Sequence, residues 1–314
     1  MTDDAQRPPR HRSVTARERL EYYLVRVFVA CIGALPRKAA RAVGAWIGAL
    51  AFHLLGRLRR VGMQNLQLAF PEKSSAERET ILRGVYRNLG YLLAEFCKMP
   101  GYTPERASQF IYYDGLENYL EARARGKGVL VLTGHLGAWE LSSFYHSLMG
   151  YPMGMVIRRL DNPLVDEFVN RVRCMHGNRV MHKDDFARSL IAAMRGGETV
   201  GILMDTNMTP PQGVFVPFFG VEACTPSGMA KIALKTEAAV IPGFLLWHEQ
   251  EQHYRLHFGS ELQLTQTGDA EADTLANTAL FTSVIERYAR EYPDQWLWMH
   301  RRWKTRPAGE AVIY

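Results

Sequence analysis

Gly134-His-Leu-Gly-Ala-Trp-Glu140 sets a histidine and a glutamate five residues apart. An imidazole can take a proton from an attacking hydroxyl. A carboxylate bonded to its other ring nitrogen can orient it and offset the charge that develops. The H-x-x-x-x-E spacing carries little by itself. With ten histidines and about one residue in ten acidic, roughly one such pair arises by chance. Context carries the information, because the pair falls where a buried strand turns into a helix, with Gly134 and Gly137 flanking the histidine. Inside one helix five residues rotate by ~500°, leaving the side chains ~140° apart. The two can meet only if His135 lies in the turn and Glu140 on the first helical turn. The alternative is a turn histidine bonded to backbone, beside an unrelated surface glutamate.

No G-x-S-x-G elbow and no nearby cysteine accompanies His135. A base there activates the hydroxyl of a substrate, giving direct acyl transfer between two bound substrates without an acyl-enzyme. Backbone N–H groups around Gly134 or Gly137 are candidate oxyanion donors. Arg158 and Asp205 are expected to position substrate. Arg158 can hold a phosphate or polarise a carbonyl, against the alternative of a solvated Arg158-Arg159 pair. Asp205 can bind a substrate hydroxyl or position Arg158, against the alternative of a cap or turn residue. A thioester is already activated, so no metal or redox cofactor is needed.

These residues need a scaffold that gathers strand ends. Gly128 to Thr133 is a continuous apolar, β-branched run and reads as a buried strand. Further strands are expected at 153–157, 178–181, 199–204, 240–247 and 254–258. Helices are expected from the capping box Ser74-Ser-Ala-Glu77 to about Cys97, and after Thr103-Pro104, Asp114-Gly115, Asn162-Pro163 and Thr225-Pro226. Two more cover 184–194 and 274–292. The alternation predicts an α/β domain with a mixed, mostly parallel central sheet flanked by helices. In such sheets chemistry sits beyond the carboxyl ends of the strands. His135, Arg158 and Asp205 all fall there.

The 314 residues suffice for one large α/β domain with an appendage. Apolar residues are 47% and charged residues 22%, which excludes a collagen-like or wholly disordered chain. Mean hydropathy of −0.18, with no run of eighteen uncharged apolar residues, excludes a polytopic membrane protein. The net charge of +6 suits an anionic partner without choosing one. Cys31, Cys97, Cys174 and Cys224 lack metal-ligand spacing, so structural zinc and a disulfide framework are not expected.

Residues 1–18 are polar and rich in Pro and Arg, and are expected to be a disordered tail. Residues 19–60 hold two apolar stretches of about fifteen residues, bracketed by aromatic residues and arginines. As helices each reaches ~22 Å, short of a ~30 Å hydrocarbon core. They read as a membrane-associated helical segment, spanning by tilt or lying in the interface, with two core helices as the alternative. The remainder, 61–314, is the α/β domain. Val214 to Gly220 is expected either to wall an acyl-chain pocket or to pack in the core. Gln295 to Arg306 interleaves three tryptophans with cations, which suits a lipid head-group boundary; no nucleic-acid motif supports the other use of such a segment.

Several ordered blocks share this chain: Asn65-Leu-Gln-Leu-Ala-Phe-Pro-Glu-Lys-Ser74, Gly134 to Glu140, Arg158 with Asp161-Asn-Pro163, Asp205 followed by Gly213 to Gly220, Thr225-Pro-Ser-Gly-Met-Ala230, and Trp298 to Pro307. In this order they resemble the late acyltransferases of lipid A biosynthesis, the lauroyl/myristoyl acyltransferase family, over roughly residues 20–306. The resemblance implies an N-terminal membrane helix and an acyltransferase domain on the cytoplasmic face of the inner membrane. It implies a donor thioester on acyl carrier protein or CoA and a glycolipid or similar lipid acceptor. It places the catalytic pair on His135 and Glu140, and substrate contacts on Arg158 and Asp205. Arg159 and Thr206 depart from the proline and glutamine common in the family. The Phe-Pro-Glu-Gly phosphate block of glycerophosphate acyltransferases is absent, which counts against a simple lysophospholipid acceptor. The rival readings are an acyltransferase for a lysophospholipid or another polar lipid, an acyl-thioester hydrolase, and an idle membrane-bound carrier.

Overall fold

The computed structural model describes residues 14–182 and 186–314. Most of the expected tail, residues 1–13, lies outside the described residues. The first helix, α1 (Ala16–Ala34), begins inside the stretch read as tail, where Thr15 and Glu18 form a capping box. Helices α2 (Arg37–Leu54) and α3 (Gly56–Ala69) follow, then α4 (Ser75–Lys98), opened by the expected Ser74/Glu77 capping box. The chain continues through α5 (Pro104–Ala107), β1 (Ile111–Asp114), α6 (Leu116–Ala124), β2 (Val129–Thr133), α7 (Trp139–Leu148), β3 (Gly154–Ile157) and α8 (Pro163–Arg173). Then come β4 (Arg179–His182), α9 (Phe186–Arg195), β5 (Thr199–Leu203), the hairpin β6 (Gly213–Phe218) and β7 (Val221–Pro226), and α10 (Gly228–Thr236). Finally β8 (Ala239–His248), β9 (His253–Phe258) and α11 (Ala270–Glu291) complete the domain.

Seven strands form one sheet in the order β1-β9-β8-β2-β5-β3-β4. Every neighbouring pair is parallel except β8 with β9. The expected mixed, mostly parallel sheet is therefore present, and β2 is buried on both faces. Leu130 and Leu132 pack toward Leu190, Ile232 and Phe281. Val129 and Val131 pack toward Tyr119, Leu141 and Phe144. That is why β2 reads as an unbroken apolar run rather than an alternating one.

The order of strands brings β2 beside β5, with Thr133 opposite Leu203. Their carboxyl ends are therefore adjacent, and residues two places beyond each end are neighbours in space although 70 positions separate them in sequence. This register makes the site.

One local reading is corrected, and one hairpin was not expected. Thr225-Pro226 opens no helix; both residues lie in β7, with Thr225 paired to Val214. Helix α10 starts only at Gly228, after Ser227. The β6–β7 turn is Phe219-Gly220, both with positive φ (53° and 73°), as a two-residue hairpin turn requires. Phenylalanine at such a position is no turn signal, so the hairpin was illegible.

The first helices are tied to the domain. A Cβ on Gly44 or Gly90 would sit 2.1 or 2.0 Å from the other's carbonyl oxygen, so α2 and α4 meet backbone to backbone there. Arg41 donates to Glu95 (3.0 Å) and the Tyr254 hydroxyl (2.8 Å), stacked 3.8 and 3.7 Å from the Tyr91 and Trp247 rings. Among the described residues no single helix is long and apolar enough to cross a membrane. The α2–α3 pair reaches the needed length and hydropathy only together, across an 89° bend.

Candidate active site

His135 stands in the turn between β2 and α7, as the spacing requires. Its Nδ1 lies 2.9 Å from Asp205 Oδ1. Its backbone N–H donates to Asp205 Oδ2 at 2.7 Å, and the Trp296 indole N–H donates to the same oxygen at 2.8 Å. The carboxylate is buried, while the His135 side chain is a quarter exposed. With Nδ1–H donating to Asp205, Nε2 carries the lone pair, the tautomer a general base needs.

Gly134 makes room for this contact, since a Cβ there would stand 3.0 Å from the Asp205 carboxyl carbon. Gly137 shapes the turn with φ +63°, and a Cβ on it would lie 2.1 Å from the Leu245 carbonyl oxygen. Both demands fall on one backbone position, so Gly137→Ala is expected to cost about 1–3 kcal/mol of stability, read as a lowered denaturant midpoint.

The structure corrects the expected pairing. Glu140 lies on the first turn of α7, but both its oxygens accept from Arg173 of α8, at 2.8 and 2.5 Å. The carboxylate that orients His135 is that of Asp205, not Glu140. The reason is direction. The first turn of α7 points Glu140 across to α8, whereas the β2–β5 register delivers Asp205 to the imidazole. Asp205, read as a substrate-positioning residue, is thus part of the histidine's own support. Arg158 is not gathered with them: its side chain is 83% exposed and reaches only Asp161, at 4.0 Å. Of the two glycine N–H groups expected near an oxyanion, that of Gly137 donates to the Gln295 carbonyl at 3.0 Å. Helix α7 begins without a side-chain cap, so its first-turn N–H groups and positive dipole end lie at the same turn.

A cavity of about 70 Å³ opens beside this turn, between the sheet face and helices α7 and α8. Trp139, Met153, Met155, Ile157 and Leu203 give it an apolar wall, and the Glu140–Arg173 pair lines it as well. The Trp139 ring meets the His135 ring edge-on at 5.3 Å. Val214 to Gly220, the other candidate wall, supplies core instead: Val216, Phe218 and Phe219 are buried. No group of three or more metal-ligating side chains occurs among the described residues.

The tryptophan- and cation-rich C-terminal segment is also corrected. Trp296, Trp298, Trp303 and Arg302 are fully buried, so they face no lipid boundary. Arg302 donates to the Cys224 carbonyl at 3.1 Å and to the Thr225 hydroxyl, and burial lowers its pKa to about 10. Sequence reasoning missed Trp296; its place in a W-x-W run beside cations gave no sign that the indole N–H serves a carboxylate.

Burial alone would raise the Asp205 pKa. The positive imidazolium of His135 and the hydrogen bonds from His135 and Trp296 outweigh it and hold the carboxyl at about 2, below its ordinary 3.8. A depressed carboxyl stabilises the fold above its unfolded pKa and loses that contribution as pH falls through the folded value. Wild type should therefore lose about 2 kcal/mol of stability as pH falls from ~4 toward ~2, a loss that Asp205→Asn does not show. Chemical denaturation across that range measures it.

Comparison with known proteins adds independent findings. Residues 8–305 match the model of the bacterial lipid A biosynthesis acyltransferase family. The chain is 30% identical over 281 residues to the lipid A biosynthesis palmitoleoyltransferase of Escherichia coli (strain K12), covering 89% of this chain and 90% of that one. It is 28% identical to the lipid A biosynthesis lauroyltransferase of the same organism, at 89% and 90% coverage. It is 26% identical to a lipid A biosynthesis acyltransferase of Haemophilus influenzae, at 88% and 84%.

Proposed function

Since this chain belongs to the bacterial lipid A biosynthesis acyltransferases, and is thus an enzyme of acyl transfer, we propose that it moves a fatty acyl group from a thioester of acyl carrier protein or CoA to a hydroxyl of a lipid A precursor, with His135 as general base. The observation that carries this reading is the 2.9 Å contact of His135 Nδ1 with buried Asp205, beside an apolar cavity.

The acceptor hydroxyl gives its proton to His135 Nε2 as its oxygen attacks the thioester carbonyl. Asp205 keeps the tautomer and offsets the imidazolium charge. The uncapped start of α7 offers N–H groups and a positive dipole end to the oxyanion. Collapse breaks the carbon–sulfur bond, and the imidazolium returns the proton to the departing thiolate. The acyl chain enters the cavity under α7, where the two methionines can shift to admit it. Glu140 and Arg173 fix the wall of that cavity and the pitch of α7 above the base. Arg158, free to swing on the surface, meets the anionic head group of the acceptor.

The protein works at a lipid surface, on the cytoplasmic face of the inner membrane. Leu20, Tyr23, Leu24 and Val27 make an exposed stripe on α1; Trp46, Leu50 and Leu54 make another on α2, ahead of Arg57, Arg59 and Arg60. Apolar stripes rimmed by arginine suit an interfacial anchor. Replacing Leu24, Val27 and Leu54 together by Glu is expected to lower the fraction bound to anionic vesicles about tenfold or more, measured by co-flotation.

The deciding experiment supplies purified protein with one labelled acyl thioester and a panel of acceptors. Mass spectrometry should find a lipid A precursor heavier by one acyl chain. Free fatty acid as the sole product would instead identify a thioester hydrolase, and preferred transfer to a lysophospholipid would identify a different acceptor.

A further inference from the structure

Residues 295–298 lie across the catalytic turn as a clasp. The Gly137 N–H donates to the Gln295 carbonyl at 3.0 Å, and the Leu297 N–H donates to the His135 carbonyl at 3.0 Å. Leu136 and Trp296 form an antiparallel bridge between those two bonds. The Gln295 amide is fixed in turn to strand β8, accepting from the Trp247 N–H (2.9 Å) and donating to the Trp247 carbonyl (2.8 Å). Asn65 holds the far side, donating to the carbonyls of Trp298 and His300 at 2.6 and 2.7 Å. A segment this closely bonded has little freedom, and its one polar side-chain atom directed at the site is the Trp296 indole nitrogen. That atom lies 2.8 Å from Asp205 Oδ2, on a residue 1% exposed.

We propose that Trp296 is a positioning residue for acyl transfer, whose indole N–H fixes the plane of the Asp205 carboxylate so that its other oxygen meets His135 Nδ1. The inference rests on the role given to His135 and Asp205 above. A carboxylate held by one partner can rotate about its Cβ–Cγ bond. With Oδ2 pinned by the His135 backbone N–H on one side and the indole on the other, rotation is blocked and Oδ1 stays on the imidazole. Bonds to a charged acceptor out of water are the strong ones, which suits the task. A tryptophan serving only as core filler needs no such bond. Its shape, not its N–H, would then matter.

The test separates shape from hydrogen bond. In one variant Trp296 becomes Phe. In a second, Trp296 is replaced by 3-benzothienylalanine, in which sulfur stands in place of the N–H and the ring volume is kept, so that folding is preserved. Both are expected to lower kcat about tenfold with KM for donor and acceptor unchanged. In an Asp205→Asn background the same replacement should add no further loss, because the carboxylate it serves is already gone. An unchanged kcat in the benzothienyl variant would overturn the proposal, as would losses that multiply in the double variant. The proposed mechanism fails separately, if Asp205→Asn alone keeps full activity.

Discussion

His135→Ala is expected to lower the rate of acyl transfer by about 10³-fold, with the fold and vesicle binding retained. The magnitude follows from what the side chain does. A positioned general base contributes roughly 10²–10⁴-fold, and His135 is the side chain whose ring nitrogen meets Asp205 in the β2–α7 turn. The effect belongs in kcat, because the imidazole takes its proton only as the acceptor oxygen attacks; KM for the acyl donor should stay near wild type. Purified variant, assayed with one labelled thioester and a lipid A precursor, decides it. Transfer at the wild-type rate would remove the base mechanism altogether.

Asp205→Asn is expected to be at least as damaging, at roughly 10³–10⁴-fold in kcat. Asparagine is close in size, so the β2–β5 register and the approach allowed by Gly134 survive. What changes is the acceptor. An amide can offer His135 its NH₂ and so favour the tautomer with the proton on Nε2, where the lone pair is needed. It also provides no negative charge to offset the imidazolium. In Ser-His-Asp enzymes the equivalent change costs about 10⁴-fold with geometry intact. Glu140→Gln separates the two acidic residues. It leaves the contact between Asp205 and His135 in place and weakens the ion pair with Arg173, so its loss should be smaller and should fall partly on donor KM. If Glu140→Gln proved the more damaging of the two, the assignment of Asp205 as the histidine's partner would be wrong.

Much of the fold was legible because its signals are local. The Ser74/Glu77 capping box and the Asn162-Pro163 start operate within one turn of helix, and both helices begin where those residues place them. The apolar run at Val129–Thr133 reads as a buried strand, and the structure covers that strand on both faces. The Phe219-Gly220 turn and the strand identity of Thr225-Pro226 were not legible. Their conformation is imposed by pairing across the hairpin and runs against the residues' own preferences. The burial of Trp296, Trp298 and Trp303 was hidden for a related reason. A tryptophan suits a lipid boundary and a core equally well, and only the covering helices decide which it meets.

By itself the sequence determined that a histidine sits at a strand-to-helix turn, that the domain is α/β, and that its ordered blocks resemble lipid A acyltransferases. Tertiary structure alone decided which carboxylate the histidine meets. Glu140 is five residues away along the chain and Asp205 is seventy, yet the shorter separation is spent on a helix that aims Glu140 at Arg173. The longer one is closed by two parallel strands whose ends lie side by side. Proximity in sequence limits where a side chain can reach; strand order and helix direction determine where it points.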